Sequence, residues 1–267
     1  KIESMIDKII GWRHVEFNGL LLPANGAVQR ARSACVPLHA KNADPNWPIS
    51  NMGCGFLYLR KGRKFVVFTR HQLGKDKHPS QVMIRLGPVT AARLNGGARF
   101  FQFPALEYGP EEFDVCAIEM PWRLPILKGV PTFIRSVSVS PIADDGSEIY
   151  FAVGYPSRLT KIDGEMSAEH FGLTQVLTWA RCVVLKRGDL PMLELLPGEV
   201  LLERCSGDLD GFSGGPVFGV GKKTKVLSLR GVIIRGAVDK LFFASTDWID
   251  DVCDKALTHP ALEEVAA

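Results

Sequence analysis

The stretch DGFSGGPVF, residues 210–218, surrounds a single serine, Ser213, with three glycines and a proline. Phe212 precedes the serine, and the apolar residues Val217 and Phe218 follow it. Glycine is the residue that most readily adopts positive φ and permits close approach of backbone segments. The composition of this stretch therefore predicts a tight turn that presents one hydroxyl group and leads into a β-strand.

The residues around Ser213 also fit the pattern G-x-S-x-G of the strand-to-helix turn in α/β-hydrolases. In that fold a helix follows the serine, whereas Pro216 and the apolar residues after it predict a strand. The acid and the histidine of such a site also follow the serine, and His259 is the only histidine after Ser213. We therefore reject an α/β-hydrolase site.

The other arrangement of a catalytic serine places a histidine first, an aspartate second and the serine third. His71 follows the apolar run KFVVFTR, and Asp114 begins the apolar run DVCAIEM. Both side chains are therefore expected at strand ends, upstream of Ser213, and these three residues are the candidate catalytic set. The competing candidates lie in polar loops without a strand of this kind, and they are His78, Asp144 and Asp145.

Two series of short apolar or alternating runs predict an all-β fold. The predicted strands are 53–60, 64–70, 81–87, 98–103 and 114–120 in the first series, and 148–156, 175–186, 199–204, 214–220, 225–236 and 240–245 in the second. Short strands at this spacing are typical of closed or packed antiparallel sheets. We therefore predict two antiparallel β-barrels, with His71 and Asp114 in the first and Ser213 in the second.

Both ends of the sequence predict helices. TDWIDDVCDKAL, residues 246–257, has acids in its first turn and an apolar face, which predicts a C-terminal helix. KIESMIDKIIGW, residues 1–12, predicts a short amphipathic helix and lacks the apolar stretch of a secretory signal. The predicted domains are an N-terminal extension with a first strand at 1–49, a first β-barrel at 50–140, a second β-barrel at 141–246, and a C-terminal helix and tail at 247–267.

The composition argues against several classes of partner. The formal net charge is only +3 and the basic residues are dispersed, which predicts no binding to nucleic acid or to an anionic membrane surface. No run approaches the roughly 18 apolar residues that span a bilayer. The six cysteines form no C-x-x-C pair, so we expect no metal site and no cofactor. Several cysteines lie in apolar runs, which favours buried, reduced thiols and a cytoplasmic location.

On these residues the chain resembles a trypsin-like serine peptidase of the chymotrypsin fold, in the PA clan. GFSGGPVF resembles the GDSGGP serine loop of that family, FVVFTRHQL resembles its strand and histidine turn TAAHC, and FDVCAIEM resembles its aspartate strand. VGYP at 153–156 and RGVIIRG at 230–236 resemble the strand that opens the second barrel and the strand that lines the substrate cleft. The resemblance extends over about residues 50–257.

The resemblance implies a serine endopeptidase that hydrolyses a protein or peptide substrate without a cofactor. His71 would accept the proton of the Ser213 hydroxyl, and Asp114 would orient the imidazole and stabilise its cation. The backbone N–H groups of Gly211 and Ser213 would form the oxyanion hole.

Two positions depart from the family pattern. The residue before the serine is Phe212, where digestive and clotting members have an aspartate that pairs with a newly cut N-terminus. Gln72 follows the histidine, where those members have a disulfide-forming cysteine. The departures resemble bacterial and viral relatives and imply a bacterial intracellular enzyme, whose serine loop other contacts or an activating partner would hold in order.

The substrate preference stays open in the sequence. The position six before the serine is Gly207, and Asp208 follows it; either Asp208 lies at the base of the primary pocket and selects Lys or Arg, or the pocket selects small or apolar residues. Asp239 is a candidate for the pocket wall. The remaining candidates form an edge that would pair with an extended substrate, and they are Ile233, Ile234, Arg235 and Gly236.

Two hypotheses about function remain at this point. The first is a working endopeptidase. The second is a peptidase-fold module that binds a peptide or a partner without cutting it, or that is inactive until a partner or ligand orders the serine loop. The complete set of histidine, aspartate, serine and glycines favours the first hypothesis.

Overall fold

The structure is a computed structural model. It describes residues 9, 11–41, 49–74, 78–85, 91–93, 99–102, 114–120, 132–136, 142, 145–159, 161–162, 171–172, 175–183, 190–195, 209–237 and 239–260. Most of the ordered elements are β-strands, in two eight-stranded sheets and one short two-stranded sheet.

The N-terminal part consists of a β-hairpin followed by a helix. The hairpin is formed by β1 (His14–Phe17) and β2 (Leu20–Pro23), and the helix is α1 (Ala24–Ala34). The sequence analysis did not predict α1, because Asn25-Gly26 is a typical turn pair. The helix forms because small side chains at three- and four-residue spacing let it pack closely on the core, and they are Ala24, Ala27, Ala31 and Ala34.

The first sheet contains β3 (Cys35–Lys41), β4 (Ile49–Arg60), β5 (Arg63–Thr69), β6 (Val82–Arg85), β7 (Ala91–Arg93), β8 (Phe100–Gln102), β9 (Val115–Glu119) and β10 (Ile134–Arg135). Seven of these strands are antiparallel in the order β7-β6-β3-β4-β5-β9-β8, and β10 joins β4 in parallel. Two 3-10 turns interrupt the series, at Arg70–Gln72 and Pro79–Gln81.

The second sheet is a closed antiparallel barrel. Its strands are β11 (Glu148–Gly154), β14 (Val176–Val183), β15 (Met192–Leu195), β16 (Pro216–Gly221), β17 (Val226–Ala237) and β18 (Lys240–Ser245). The order β16-β11-β14-β15-β18-β17 closes because β17 also pairs with β16. β1 adds to β17 in parallel, and a separate pair is formed by β12 (Lys161–Ile162) and β13 (Phe171–Gly172).

Both faces of the central strands are buried, which explains their nearly continuous apolar runs. In β5, Val66 and Phe68 belong to a hydrophobic core formed by residues of the first sheet alone. Phe65 and Val67 belong to a larger hydrophobic core that residues of both sheets share. Phe212 packs inside the second barrel. A site between the sheets is therefore supported by apolar layers on both sides.

A C-terminal helix, α2 (Thr246–Thr258), ties the second barrel to the first sheet. Ile249 and Val252 on α2 are fully buried. The guanidinium of Arg60 on β4 contacts Asp250 at 2.8 Å and Asp254 at 3.0 Å. These contacts connect α2 to the sheet that carries His71.

The prediction of an all-β fold with two antiparallel β-barrels and a C-terminal helix is confirmed, as two mainly antiparallel sheets of which the second closes through β16 and β17. Every predicted strand except 199–204, which lies outside the described residues, coincides with a described strand. The predicted helix at 1–12 also falls mostly outside the described residues. Four cysteines are free and buried, as predicted, and they are Cys35, Cys54, Cys116 and Cys253. No described helix is both long and apolar enough to cross a bilayer.

Candidate active site

His71 lies in the 3-10 turn that follows β5. The turn begins after Thr69, and the N–H groups of Leu73 and Gly74 close it on the carbonyls of Arg70 and His71, both at 3.0 Å. Nearly half of the His71 side chain, 48%, is exposed. The imidazole is therefore held at the surface end of a buried strand.

Asp114 lies beside His71 because β9 pairs with β5 in a register that places Val115 opposite Thr69. Its Oδ2 is 2.5 Å from Nδ1 of His71, and its Oδ1 accepts the backbone N–H of His71 at 2.9 Å. A carboxylate at Nδ1 favours the imidazole form that carries its proton there. Nε2 is then the nitrogen that can accept a proton.

The turn that carries Ser213 needs its glycines. Gly211 has φ +89° and Gly214 has φ +82°. A Cβ atom at Gly211 would collide with the carbonyl of Tyr155, and one at Gly214 would collide with the carbonyl of Cys54. The tight turn predicted from the sequence therefore brings the serine loop directly against backbone of both sheets.

Phe212 anchors this loop in the second barrel. Its side chain is 1% exposed and lies against Gly154, where a Cβ atom would approach the ring to 2.6 Å. The two titratable side chains behind the loop carry no charge, because burial raises the pKa of the Tyr155 hydroxyl and that of the Cys35 thiol. The loop is therefore held by apolar packing of Phe212.

The backbone N–H groups of the loop fall into two sets. Those of Phe212, Gly214 and Gly215 donate to the carbonyls of Leu209, Ile233 and Phe212 at 2.8–3.2 Å. Among the described residues, no acceptor is present for the N–H groups of Gly211 and Ser213. Two unused donors therefore flank the serine side chain.

Planarity of the peptide bond fixes the direction of these two donors. The carbonyl of Asp210 accepts the N–H of Ser157 at 3.0 Å, and that of Phe212 accepts the N–H of Gly215 at 2.8 Å. In each peptide the following N–H, of Gly211 or Ser213, points the opposite way. Such preorganised donors are what an oxyanion requires.

The serine loop contacts the first sheet and the histidine turn through the backbone carbonyl of Ser213. The carbonyl of Ser213 accepts the Gln72 side-chain amide at 2.9 Å and the Cys54 N–H at 3.3 Å. Within the described residues no direct hydrogen bond connects the Ser213 hydroxyl to the His71 ring. Such contacts are often long in enzymes without substrate and tighten on binding.

The predicted substrate-binding residues are only partly described. Ile233 and Ile234 are buried in β17, whereas Arg235 and Gly236 are exposed. The guanidinium of Arg235 lies 4.3 Å from the centre of the Phe242 ring. Asp239 is exposed in the turn between β17 and β18. The two residues predicted at the pocket base lie outside the described residues, and they are Gly207 and Asp208.

The sequence analysis missed the roles of Gln72 and Cys54. The Cys54 thiol lies 3.2 Å from the Gly211 carbonyl and 3.4 Å from that of Ser213. For Gln72 a signal exists in the pattern T-x-x-Q, residues 69–72, which is a capping box. That pattern predicts the cap but not the contact with the serine loop.

No protein-family model matches the chain, and no curated protein matches it. Among solved structures, the chain is similar to the human pathogenic astrovirus serine protease, at 15% identity and TM-score 0.46, over 87% of this chain and 93% of that chain. It is also similar to the Rv3671c protease of M. tuberculosis in its active form, at 15% identity and TM-score 0.49, over 90% of this chain and 86% of that chain. At this identity, the roles of individual residues rest on the contacts of this chain alone.

Proposed function

We propose that the chain is a trypsin-like serine endopeptidase that cuts a protein or peptide through a triad of Ser213, His71 and Asp114. The observation that carries the proposal is the double contact between Asp114 and His71. It is joined by a serine loop that contacts Gln72, the residue after His71, and whose Gly211 and Ser213 N–H groups have no acceptor among the described residues. Three separate segments of the chain supply these features. Two of them belong to the first sheet and one to the second.

The chemistry follows from these positions. Ser213 Oγ attacks the carbonyl carbon of the peptide while its proton passes to His71 Nε2, and Asp114 stabilises the resulting imidazolium. The N–H groups of Gly211 and Ser213 bind the oxyanion, and one such donor is worth about 3–4 kcal/mol. His71 then protonates the leaving amine as the C–N bond breaks, and a water molecule hydrolyses the acyl-enzyme by the same steps.

The apolar anchoring of Phe212 supports an enzyme that needs no ion pair with a newly cut N-terminus. A carboxylate at this position would be buried without a partner, at a cost of several kcal/mol. The departures at Phe212 and Gln72 support a bacterial-type enzyme, and the free buried thiols support a cytoplasmic location.

The substrate would bind as an extended strand along β17. On one side, Arg235 and Gly236 pair with β18. On the other side, the pairing of β17 with β16 ends at Val232 opposite Pro216. A peptide that adds there would pass the serine loop, because Ile233 exchanges backbone hydrogen bonds with Gly214 and Gly215 at 2.8 Å and 2.9 Å. Preference for Lys or Arg, through Asp208, or for small or apolar residues stays open.

Labelling with a fluorophosphonate tests the proposal. The serine oxygen forms a bond to phosphorus, fluoride leaves, and intact mass counts the adducts. We expect one adduct on the wild type, and none on Ser213→Ala or His71→Ala in the same time. A wild type with no adduct would exclude a freestanding enzyme.

The second candidate is a module that cuts nothing or that depends on an activating partner. The observation in its favour is the lack of a direct hydrogen bond between Ser213 and His71 in the described structure. A folded wild type that resists labelling supports this candidate, and labelling restored by an added protein component supports its conditional form.

A further inference from the structure

The side-chain amide of Gln72 lies where the histidine turn, β4 and the serine loop meet. It is 8% exposed. Its Oε1 accepts the N–H of Thr69 at 2.8 Å and the hydroxyl of Thr69 at 2.9 Å. Its Nε2 donates to the carbonyls of Met52 at 2.8 Å, Ser213 at 2.9 Å and Cys54 at 3.0 Å. One amide therefore contacts both halves of the proposed site.

The orientation of this amide is determined by its partners. Two donors of Thr69 surround Oε1, and three carbonyls surround Nε2. A flipped amide would place a donor against donors and an acceptor against acceptors. The two N–H bonds of Gln72 are shared among three carbonyls, so the donor side is saturated.

Two glycines leave the space that the amide occupies. Gly53 has φ +103° and Gly214 has φ +82°. A Cβ atom at Gly53 would lie 2.7 Å from Nε2 of Gln72, and one at Gly214 would lie 2.7 Å from Oε1. The cradle is thus built from one residue of β4 and one residue of the serine loop, at backbone conformations that favour glycine.

We propose that Gln72 is a positioning residue that sets the spacing between the nucleophile and the base. Through Thr69 it fixes the turn that carries His71, and through the Ser213 carbonyl it fixes the serine loop. Gln72 touches neither the substrate nor the reacting atoms. The inference rests on the proposed serine peptidase function and adds a residue that links its two halves.

The variant Gln72→Glu keeps the shape of the side chain and changes only the donor. A neutral glutamic acid can donate one O–H to a carbonyl, whereas a glutamate presents an oxygen to three carbonyl oxygens. Burial and the carbonyls hold the pKa of this carboxyl above its ordinary value of about 4.3. The contact is therefore present at low pH and is lost as the pH rises through that raised pKa.

Other ionisable groups near this position do not confuse the readout. The titratable and charged groups on the elements packed against it are Cys54, Tyr58 and Arg60 on β4, Arg63 and Lys64 on β5, Asp114 just before β9, Cys116 and Glu119 on β9, Asp210 in the serine loop, and Arg70 and His71 in the turn itself. All of them are present in the wild type as well. The ratio of the variant rate to the wild-type rate at each pH therefore removes the titrations that are the same in both proteins. A negative charge at position 72 would also favour the protonated imidazole of His71, which on its own makes the ratio rise with pH, opposite to the fall expected from loss of the Gln72 contact.

The measurement is the second-order rate constant of fluorophosphonate labelling between about pH 5.5 and about pH 8.5, a range that spans a carboxyl pKa raised by burial. We expect the ratio of Gln72→Glu to wild type to fall about tenfold or more as the pH rises. Gln81→Glu is the matched control, because Gln81 also caps a 3-10 turn and accepts the His78 N–H at 2.8 Å. Its ratio should stay near one at every pH.

Gln72→Met removes all polar contacts and should label slowly with no change of its ratio with pH. If circular dichroism shows that Gln72→Glu does not fold, the labelling rate of Gln72→Met tests the inference in its place. A folded Gln72 variant that labels at the wild-type rate, or a Gln72→Glu ratio that does not depend on pH, overturns the inference. A wild type that does not label at all overturns the proposed function instead.

Discussion

Replacement of Asp114 by asparagine tests which nitrogen of His71 carries the proton. Oδ1 of Asp114 accepts the His71 backbone N–H at 2.9 Å, and Oδ2 lies 2.5 Å from Nδ1. An asparagine that keeps the first contact with its carbonyl oxygen must point its NH2 group at Nδ1. Nδ1 then becomes the acceptor and Nε2 carries the proton, so Nε2 no longer accepts a proton from Ser213.

The magnitude follows from the tautomer. In serine peptidases with this arrangement, the wrong tautomer lowers kcat by about 10⁴, which corresponds to about 5 kcal/mol of transition-state stabilisation. We expect Asp114→Asn to lower the rate constant of fluorophosphonate labelling by a similar factor with little change in Tm. Asp114→Ala places no donor at Nδ1, so one of its tautomers stays productive and its labelling should fall less.

The matched control is Asp145→Asn. Asp145 is exposed, and its Oδ1 accepts the Ser147 N–H at 2.8 Å, so the change is chemically the same at a distance from the site. This control should label like the wild type. Labelling of Asp114→Asn within about tenfold of the wild type, or slower labelling of Asp114→Ala than of Asp114→Asn, would refute the reasoning.

Three further predictions concern the parts that support the site. Phe212→Ala should lower the free energy of unfolding by about 3–5 kcal/mol in urea titrations, because a fully buried ring is removed. It should also slow fluorophosphonate labelling. An unchanged urea midpoint would contradict the role of Phe212 in anchoring the serine loop. Arg60→Ala should lower the free energy of unfolding by about 1–2 kcal/mol, because its half-buried ion pairs with α2 are lost. Hydrogen exchange should become faster first in α2, and unchanged exchange in α2 would show that Arg60 does not hold this helix on the first sheet. Burial lowers the pKa of His39 to about 4, below the value of about 6.5 in the unfolded chain. The free energy of unfolding should therefore be highest at neutral pH and should fall by up to about 1.4 kcal/mol per pH unit as the pH is lowered from about 6.5 to 4. His39→Gln should flatten that part of the plot of stability against pH.

The sequence predicts the strands well because their signal is local. In the middle of β5 successive side chains enter two different hydrophobic cores, which needs apolar residues at consecutive positions, and FVVF at 65–68 supplies them. The candidate triad residues can also be found from the sequence, because His71 and Asp114 stand directly at strand ends and histidine, aspartate, serine is one of the known chain orders of this catalytic set. Strand pairing then brings Asp114 to His71, as the register of Val115 with Thr69 requires.

The features that the sequence did not predict depend on partners far along the chain. Helix α1 contains the turn pair Asn25-Gly26, and tertiary packing of its small face overrides that local preference. β1 joins the second barrel through Glu16 and Val226, a pairing with no local signature. The contact of Gln72 with the Ser213 carbonyl spans 141 residues, so the capping pattern alone gives only half of its role.

The direction of the proposed oxyanion donors is set by what binds the carbonyls of the same loop. Hydrogen bonds to the carbonyls of Asp210 and Phe212 fix two peptide planes. That orientation sets the direction of the N–H groups of Gly211 and Ser213, for which the described residues offer no acceptor. The Ser213 carbonyl is held from the first sheet, by Gln72 and Cys54. A loop fixed in this way depends on how the two sheets pack against each other. Changes that separate the sheets should therefore reduce labelling before they unfold either sheet.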